Sequence, residues 1–304
     1  MKYTVIAPAY NEEGNVEPLV TRIAEAMEKV DGDYEIIIVD DGSTDGTVEK
    51  LKSINKNLKV ISLAENSGQT VAFQAGFDYA TGERIVTLDS DLEKDPAYIP
   101  RMIEKLDNEN LDLVYFRKLY TDDIPFLRRI ASKIANLFRN AITGDKAVDV
   151  GSTFKVYRRN VFKGRNFSSG FHRYFIGFME AEGLSMGYVE GPVYNRPTGD
   201  TKYTNWGRLK QGLADLFYFY LYKNKKIGIH KLIFSALAVV GIVWVGPFGV
   251  WAKSVTLFLF ITMLALLLSL TIHATHLLVR SRKVPYVVKD VYTSLKQEEP
   301  ADRI

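Results

Sequence analysis

The sequence predicts an α/β domain on a mixed, mainly parallel sheet, followed by a pair of membrane-spanning helices. Three observations carry this expectation. Short β-branched runs alternate with helical periods from Tyr3 onward, Leu232 to Leu278 is apolar almost throughout, and three of the expected strands run directly into carboxylates. The 304 residues carry 39 Lys or Arg against 36 Asp or Glu, and a net charge of +3 is too small for a dedicated nucleic-acid binder. With 47% hydrophobic residues the chain can bury a sizeable core, which excludes wholesale disorder. Because there is no cysteine, disulfide frameworks, Cys-ligated metals and thiol catalysis are excluded as well.

The β-branched runs Tyr3 to Ala7, Glu35 to Val39, Lys59 to Leu63, Arg84 to Leu88 and Leu113 to Phe116 read as strands. Between them a helical period is kept by Val16, Leu19, Val20, Ile23 and Met27, by Val48, Leu51 and Ile54, and by Ile99, Met102, Ile103 and Leu106. Such a β-α-β-α rhythm implies parallel strands with helices on both faces. Ligands then bind beyond the carboxyl ends of the strands.

One membrane span takes about 20 helical residues, and the apolar run exceeds that. It is broken by the turn signal Gly246-Pro247-Phe248-Gly249, so two transmembrane helices are expected within 229–279. Lys223, Lys225, Lys226 and Lys231 precede the run and Arg280, Arg282 and Lys283 follow it, whereas only Lys253 lies near the turn. The positive-inside rule puts both ends in the cytoplasm. The start, Met1-Lys2, passes straight into a strand without a signal-peptide pattern. Cationic residues also concentrate between Phe116 and Lys146 and between Arg196 and Lys231, which suits anionic headgroups or a lipid phosphate. Ile124, Phe126, Leu127, Ile130, Ile134, Leu137 and Phe138, interleaved with Arg129, Lys133 and Arg139, predict an amphipathic membrane-surface helix near 124–142.

The first strand leads into Pro8-Ala9-Tyr10-Asn11-Glu12-Glu13, the second ends in Asp40-Asp41-Gly42-Ser43-Thr44-Asp45, and the fourth in Asp89-Ser90-Asp91-Leu92-Glu93. Carboxylates gathered at three strand ends repel one another unless a cation sits among them, and a divalent metal is the economical answer. Asp89 and Asp91, one residue apart, can both reach one ion. Asp-rich turns and helix caps would give the same residue types. Neither a Gly-x-Gly-x-x-Gly nor a P-loop follows the first strand, which disfavours dinucleotide enzymes and P-loop NTPases.

These motifs resemble glycosyltransferase family 2, with its nucleotide-sugar-binding GT-A fold. Pro8-Ala9-Tyr10-Asn11-Glu12, Asp40-Asp41-Gly42-Ser43-x-Asp45, Asn66-Ser67-Gly68-Gln69-Thr70-x-Ala72 and Asp89-x-Asp91-Leu92 occur in the family's order and approximate spacing. Asp149-Val150-Gly151-Ser152 and Arg196-Pro197-Thr198-Gly199-Asp200-Thr201-Lys202-Tyr203 resemble its polyprenyl-phosphate branch, which contains dolichyl-phosphate mannose synthase and undecaprenyl-phosphate glucosyltransferases. The resemblance implies inverting transfer of a hexose from a UDP- or GDP-sugar to undecaprenyl or dolichyl phosphate. It implies a catalytic domain over 1–210, a juxtamembrane segment over 211–228 and a cytoplasmic tail over 280–304.

By the same resemblance, Pro8, Tyr10 and Glu12 line the nucleotide pocket and Asp40, or Asp41 in its place, hydrogen-bonds the base. Asp89 and Asp91 hold the ribose, diphosphate and a Mg²⁺ or Mn²⁺ ion, and Glu93 adds a carboxylate beside the metal where relatives have Gln. Arg117, Arg128 and Ser132 match the acceptor-phosphate pattern, with Arg196 and Lys202 on a loop able to join them and Arg117 counted among the catalytic groups. Asp149 is placed to position the acceptor or metal, or alternatively to turn the chain before Gly151, whereas His172 and Arg173 lie where relatives carry site residues, without an assigned role. The expected partners are the nucleotide sugar, polyprenyl phosphate and the bilayer, with no nucleic acid; a homo-oligomer stays open. A processive polysaccharide synthase is the rival reading, but its Gln-x-x-Arg-Trp signature is missing. A non-catalytic nucleotide-sugar-binding protein would not need the intact metal carboxylates. The charge asymmetry generates a topology test: a cysteine introduced near Ser294 should react with impermeant reagents only from the cytoplasmic side. Labelling only from outside would overturn the assignment.

Overall fold

A computed structural model of the chain describes residues 1–54, 57–119, 152–162, 175–176, 179–180, 182–194, 271 and 286–294. The apolar run Tyr3–Ala9 is buried along its whole length and forms the central strand β1. On either side of it the other strands follow: β2 (Tyr34–Asp40), β3 (Leu58–Leu63), β4 (Arg84–Thr87), β5 (Leu113–Lys118), β6 (Lys155–Arg158), β7 (Met186–Gly191) and β8 (Val288–Thr293). They form one sheet in the order β7-β5-β6-β4-β1-β2-β3-β8. Pairings β1 to β2, β1 to β4, β2 to β3 and β5 to β7 are parallel, and β4 to β6, β5 to β6 and β3 to β8 are antiparallel. The sheet is therefore mixed, as expected, and its parallel centre is β4-β1-β2-β3.

Helices cover both faces because alternate strand residues are apolar on each side. Val5, Ala7, Ile36, Ile38, Val60, Val86, Val114 and Phe116 share one core with α1 (Val16–Met27) and α4 (Ile99–Asn108). The stripe of α1 that enters it is Val16, Leu19, Val20, Ile23 and Met27, each side chain contributing about 1.5–3 kcal/mol of burial. The alternate residues Ile6 and Val39 meet α3 (Gln69–Tyr79), where Gly76 permits a close approach: a Cβ there would collide with Ile6. The short α2 (Thr47–Lys52) packs beside α1 and β3.

Strands β6, β7 and β8 have no strong sequence signature and were not among the expected elements. The last of them lies within the segment 280–304. Val288–Thr293 adds to the β3 edge, with Val60 opposite Tyr292 and Ile61 opposite Val291. Lys52 and Asp290 form an ion pair at 2.7 Å, and Tyr286 donates to Asp78 Oδ2 at 2.8 Å. Asp290 and Lys289 put charge on the new edge, a common protection against edge pairing. The chain divides into two compact units, one comprising Met1–Leu216 with Lys283–Ile304 and the other Phe217–Arg282. Among the described residues no helix is long and apolar enough to cross a membrane. The segments expected at 124–142, 211–228 and 229–279 lie outside the described residues, Thr271 apart.

At the end of the sheet opposite the acidic loops, buried Glu35 ties three segments together. Its Oε1 accepts from Thr4 Oγ1, Thr81 N and Thr81 Oγ1 at 2.8, 2.7 and 2.6 Å, and Oε2 pairs with Lys59 at 3.1 Å. Burial pushes this carboxyl up, but the hydrogen bonds and Lys59 outweigh burial and hold it below the usual glutamate range. Its contribution is therefore present above the unfolded-state value of about 4.3 and is lost as pH falls through the lowered folded value. Glu35→Gln should reduce unfolding free energy by about 1–3 kcal/mol. Urea titrations as a function of pH should also show that the variant loses less of its remaining stability in acid than wild type.

Candidate active site

Because β4, β1 and β2 are adjacent and parallel, their carboxyl ends emerge side by side, and the three acidic segments are neighbours in space as their sequence positions imply. Hydrogen bonds fasten the first two loops to each other. Asn11, at φ 53°, accepts from Thr44 N through Oδ1 at 2.8 Å, while its own N–H donates to Ser43 Oγ at 2.9 Å. Glu12 N donates to Thr47 Oγ1 at 2.9 Å, and the Glu12 carboxylate accepts from Asn15 Nδ2 at 2.6 Å. Pro8 lies buried at the end of β1, and Tyr10 is half-buried beyond it.

The adjacent aspartates of the second loop have different duties. Asp41 Oδ1 accepts from Ser67 N at 2.8 Å and Oδ2 from Gly68 N at 2.9 Å, so both its oxygens fix the turn that opens α3. Asp40 accepts from Ser43 N at 3.1 Å through Oδ1. Burial pushes both carboxyls above the ordinary aspartate range despite these bonds, and neighbouring carboxylates add to the rise. Gly42, at φ 71°, lets the 65–66 backbone pass directly over the loop: a Cβ at Gly42 would lie 2.7 Å from Asn66 N.

Asp89 is bonded at both of its carboxylate oxygens. Its Oδ1 accepts from Gln69 Nε2 at 2.8 Å, and its Oδ2 accepts from Lys94 Nζ at 3.0 Å and from the Thr153 hydroxyl. Burial would raise this carboxyl, but Lys94, Thr153 and Lys155 hold it below the usual range. Lys155 is itself 2% exposed, with its ammonium 5.1 Å from the Phe175 ring centroid. After Asp89 the chain turns sharply at buried Leu92, φ 58°, and Asp91 Oδ1 accepts from Glu93 N at 3.1 Å.

Among the described residues no three His, Cys, Asp or Glu side chains gather so that they could hold a metal by themselves. Asp89, Asp91 and Glu93 follow one another on this loop, where Asp91 turns one oxygen back onto the Glu93 backbone. A Mg²⁺-like ion commonly takes one or two carboxylates and completes its shell with substrate phosphates and water. The Asp89 and Asp91 pair fits an ion that arrives with a phosphorylated ligand.

Arg117 lies at the end of β5. Its Nε and Nη2 both engage Glu190 Oε1, at 2.8 and 2.5 Å, and its guanidinium carbon stands 4.1 Å from the Tyr188 ring centroid. Arg128, Ser132, Asp149, His172, Arg173, Arg196 and Lys202 lie outside the described residues. Sequence reasoning assigned no part to Lys94, Thr153 or Lys155. A lysine after a turn reads as solvated and one in a strand as surface, and only the pairing of β6 with β4, which sets Lys155 opposite Thr87, puts the latter beside Asp89.

The family model for glycosyl transferase family 2 matches residues 4–165, more than half of the chain. The chain belongs to this family. The dodecaprenyl-phosphate galacturonate synthase of Rhizobium johnstonii (strain DSM 114642 / LMG 32736 / 3841) is 36% identical over 258 residues, spanning 81% of this chain and 76% of the relative. Similar solved structures include glucosyl-3-phosphoglycerate synthase from Mycobacterium tuberculosis with Mn²⁺, UDP and glucosyl-3-phosphoglycerate. Its TM-score is 0.56 at 20% identity, over 73% of this chain and 79% of that one. The same enzyme with Mg²⁺ and UDP gives a TM-score of 0.55 at 20% identity, over 73% and 79%. These likenesses establish a GT-A-like sheet, and the chain is a glycosyltransferase.

In this glycosyltransferase the Gly42 crossing generates a local test. Gly42→Ala should cost about 1–3 kcal/mol through strain at positive φ and displacement of the 65–66 backbone. Hydrogen exchange should then accelerate at Ser67 and Gly68, whose amides Asp41 holds; unchanged protection there would contradict the clamp.

Proposed function

We propose that this enzyme transfers a hexose from a nucleotide sugar to a polyprenyl phosphate, with inversion, at the cytoplasmic face of a membrane. The observation that carries the reading is the 36% identity, over 81% of the chain, to a dodecaprenyl-phosphate galacturonate synthase. That relative's name makes a uronic hexose the first sugar to try, and the UDP bound in the structural neighbours makes UDP the first nucleotide. The apolar run 232–278 and its basic flanks support attachment to the membrane that holds the lipid acceptor.

In this reading Pro8, Tyr10 and Glu12 form the nucleotide pocket. Asp40 hydrogen-bonds the base, since Asp41 is committed to the backbone of Ser67 and Gly68. Asp89 and Asp91 would hold a divalent cation, which, when bound, offsets the charge that develops on the departing diphosphate. The acceptor phosphate is anionic at neutral pH, so the chain needs cationic positioning rather than a strong general base. Arg117, Arg128, Ser132, Arg196 and Lys202 are assigned that work through charge-assisted hydrogen bonds. Glu190 and Tyr188 hold the Arg117 fork in one orientation, which reduces the entropy lost on gripping a phosphate.

Purified enzyme given a panel of UDP- and GDP-sugars, UDP-galacturonate included, should glycosylate a short polyprenyl phosphate from one donor. Asp91→Asn should abolish turnover while leaving the protein folded, and chelation should stop wild type. Product on a sugar hydroxyl but none on the lipid would replace this reading with the polysaccharide-synthase one, and full activity in verified metal-free EDTA would remove the metal from it.

A further inference from the structure

A carboxylate poised to take a metal is expected to be open, yet Asp89 is occupied at both oxygens. Gln69 and Thr153 are neutral donors that orient it. Lys94 is different in kind, because its ammonium, 3.0 Å from Oδ2, sits as a positive charge beside the carboxylate that the metal would share. A second cation, Lys155, lies close enough to Asp89 to stabilise its ionised form but is almost completely buried in β6. The two lysines therefore differ in freedom. Lys155 is fixed by strand pairing with Thr87 and Tyr115, whereas Lys94 follows the Asp91–Glu93 turn, and its side chain and that of Asp89 retain 17% and 21% exposure.

We propose that Lys94 is a built-in counter-ion that occupies Asp89 while the donor site is empty and yields it to the divalent metal only when a nucleotide diphosphate enters. The inference rests on the reading of Asp89 and Asp91 as the metal-holding pair. With no nucleotide, a dication approaching Asp89 meets the Lys94 charge and finds two carboxylates at most among the described residues, too few oxygens to offset its lost hydration. An incoming diphosphate changes both terms at once. It supplies further oxygen ligands, and its negative charges offer the Lys94 ammonium an alternative to Asp89 within reach of its flexible four-carbon stem. Lys94 then changes from competitor to diphosphate contact, while Lys155, Gln69 and Thr153 keep Asp89 ionised and oriented. Metal and nucleotide are thereby coupled: each raises the affinity of the other by the same factor. The empty enzyme does not hold a metal ion in advance.

The test measures Mn²⁺ binding directly, by electron paramagnetic resonance and calorimetry, on the full chain with and without UDP. Wild type should bind Mn²⁺ weakly alone and much more tightly with saturating UDP. In Lys94→Met the affinity without UDP should rise by about tenfold or more, because a unit positive charge within a few ångströms of the ion has gone. Affinity in the presence of UDP should not rise, so the factor linking the two ligands shrinks. Lys94→Arg, which keeps the charge, should stay close to wild type, and Lys94→Gln supplies the uncharged case should the Met variant not fold. Unchanged or weakened UDP-free Mn²⁺ binding in the uncharged variants would overturn the proposal and leave Lys94 a merely structural partner of Asp89. Failure of wild type to bind Mn²⁺ even with UDP would instead remove the metal reading of the site, and this inference with it.

Discussion

The structure depends on holding carboxylates together against their own repulsion. Parallel pairing of β2, β1 and β4 brings Asp40, Asp41, Asp45, Glu12, Asp89 and Asp91 to one edge, an arrangement unstable without donors aimed at the anions. Almost every donor comes from the loops themselves. Backbone N–H groups of Ser43, Thr47, Ser67, Gly68 and Glu93 point at these aspartates, and Asp89 receives a lysine from an adjacent turn as well. The hydrogen bonds that offset the repulsion are thus the same ones that fix the loop conformations, so electrostatics and loop geometry are one constraint.

Division of labour within each motif follows from this. In the second loop the carboxylate that grips the 67–68 backbone is Asp41, while its neighbour Asp40 accepts from Ser43 N within its own loop. In the third, Asp89 is the anchored member and Asp91 the one carried on the turn at Leu92. Asn11 belongs to the same scheme: its side chain and backbone amide join the first loop to the second, so displacement of one is felt by the other.

Much of this was legible in the sequence because β-branched strands and amphipathic helices leave periodic signatures. The cores around β1 to β5 are the residues that the periodicity singles out, such as Leu19, Ile23, Met102 and Leu106. What escaped was non-local. Lys155-Val156-Tyr157-Arg158 alternates too briefly to announce a strand, and its place between β4 and β5 depends on antiparallel pairing with both. Val288–Thr293, with Lys289 and Asp290 on an outer edge, has the polarity of a tail, and only the vacant flank of β3 makes it a strand. Thr153 and Lys155 reach Asp89 through the pairing of β6 with β4, which is why Asp89 could be read from the sequence and these two partners could not.

The return of β8 to β3 has a consequence for how the molecule is made. Leu58 and its partner Ser294 are 236 residues apart, and the whole apolar segment is synthesised between them. At about 5–20 residues per second, β3 leaves the ribosome on the order of ten to fifty seconds before the strand that covers it exists. During that interval the nascent domain presents an open, apolar edge of the kind that recruits foreign strands. Completion of the sheet is therefore a late event of biosynthesis rather than an early one. A ribosome stalled within the apolar segment leaves behind a domain whose site-bearing strands are all present but whose flank has never been closed.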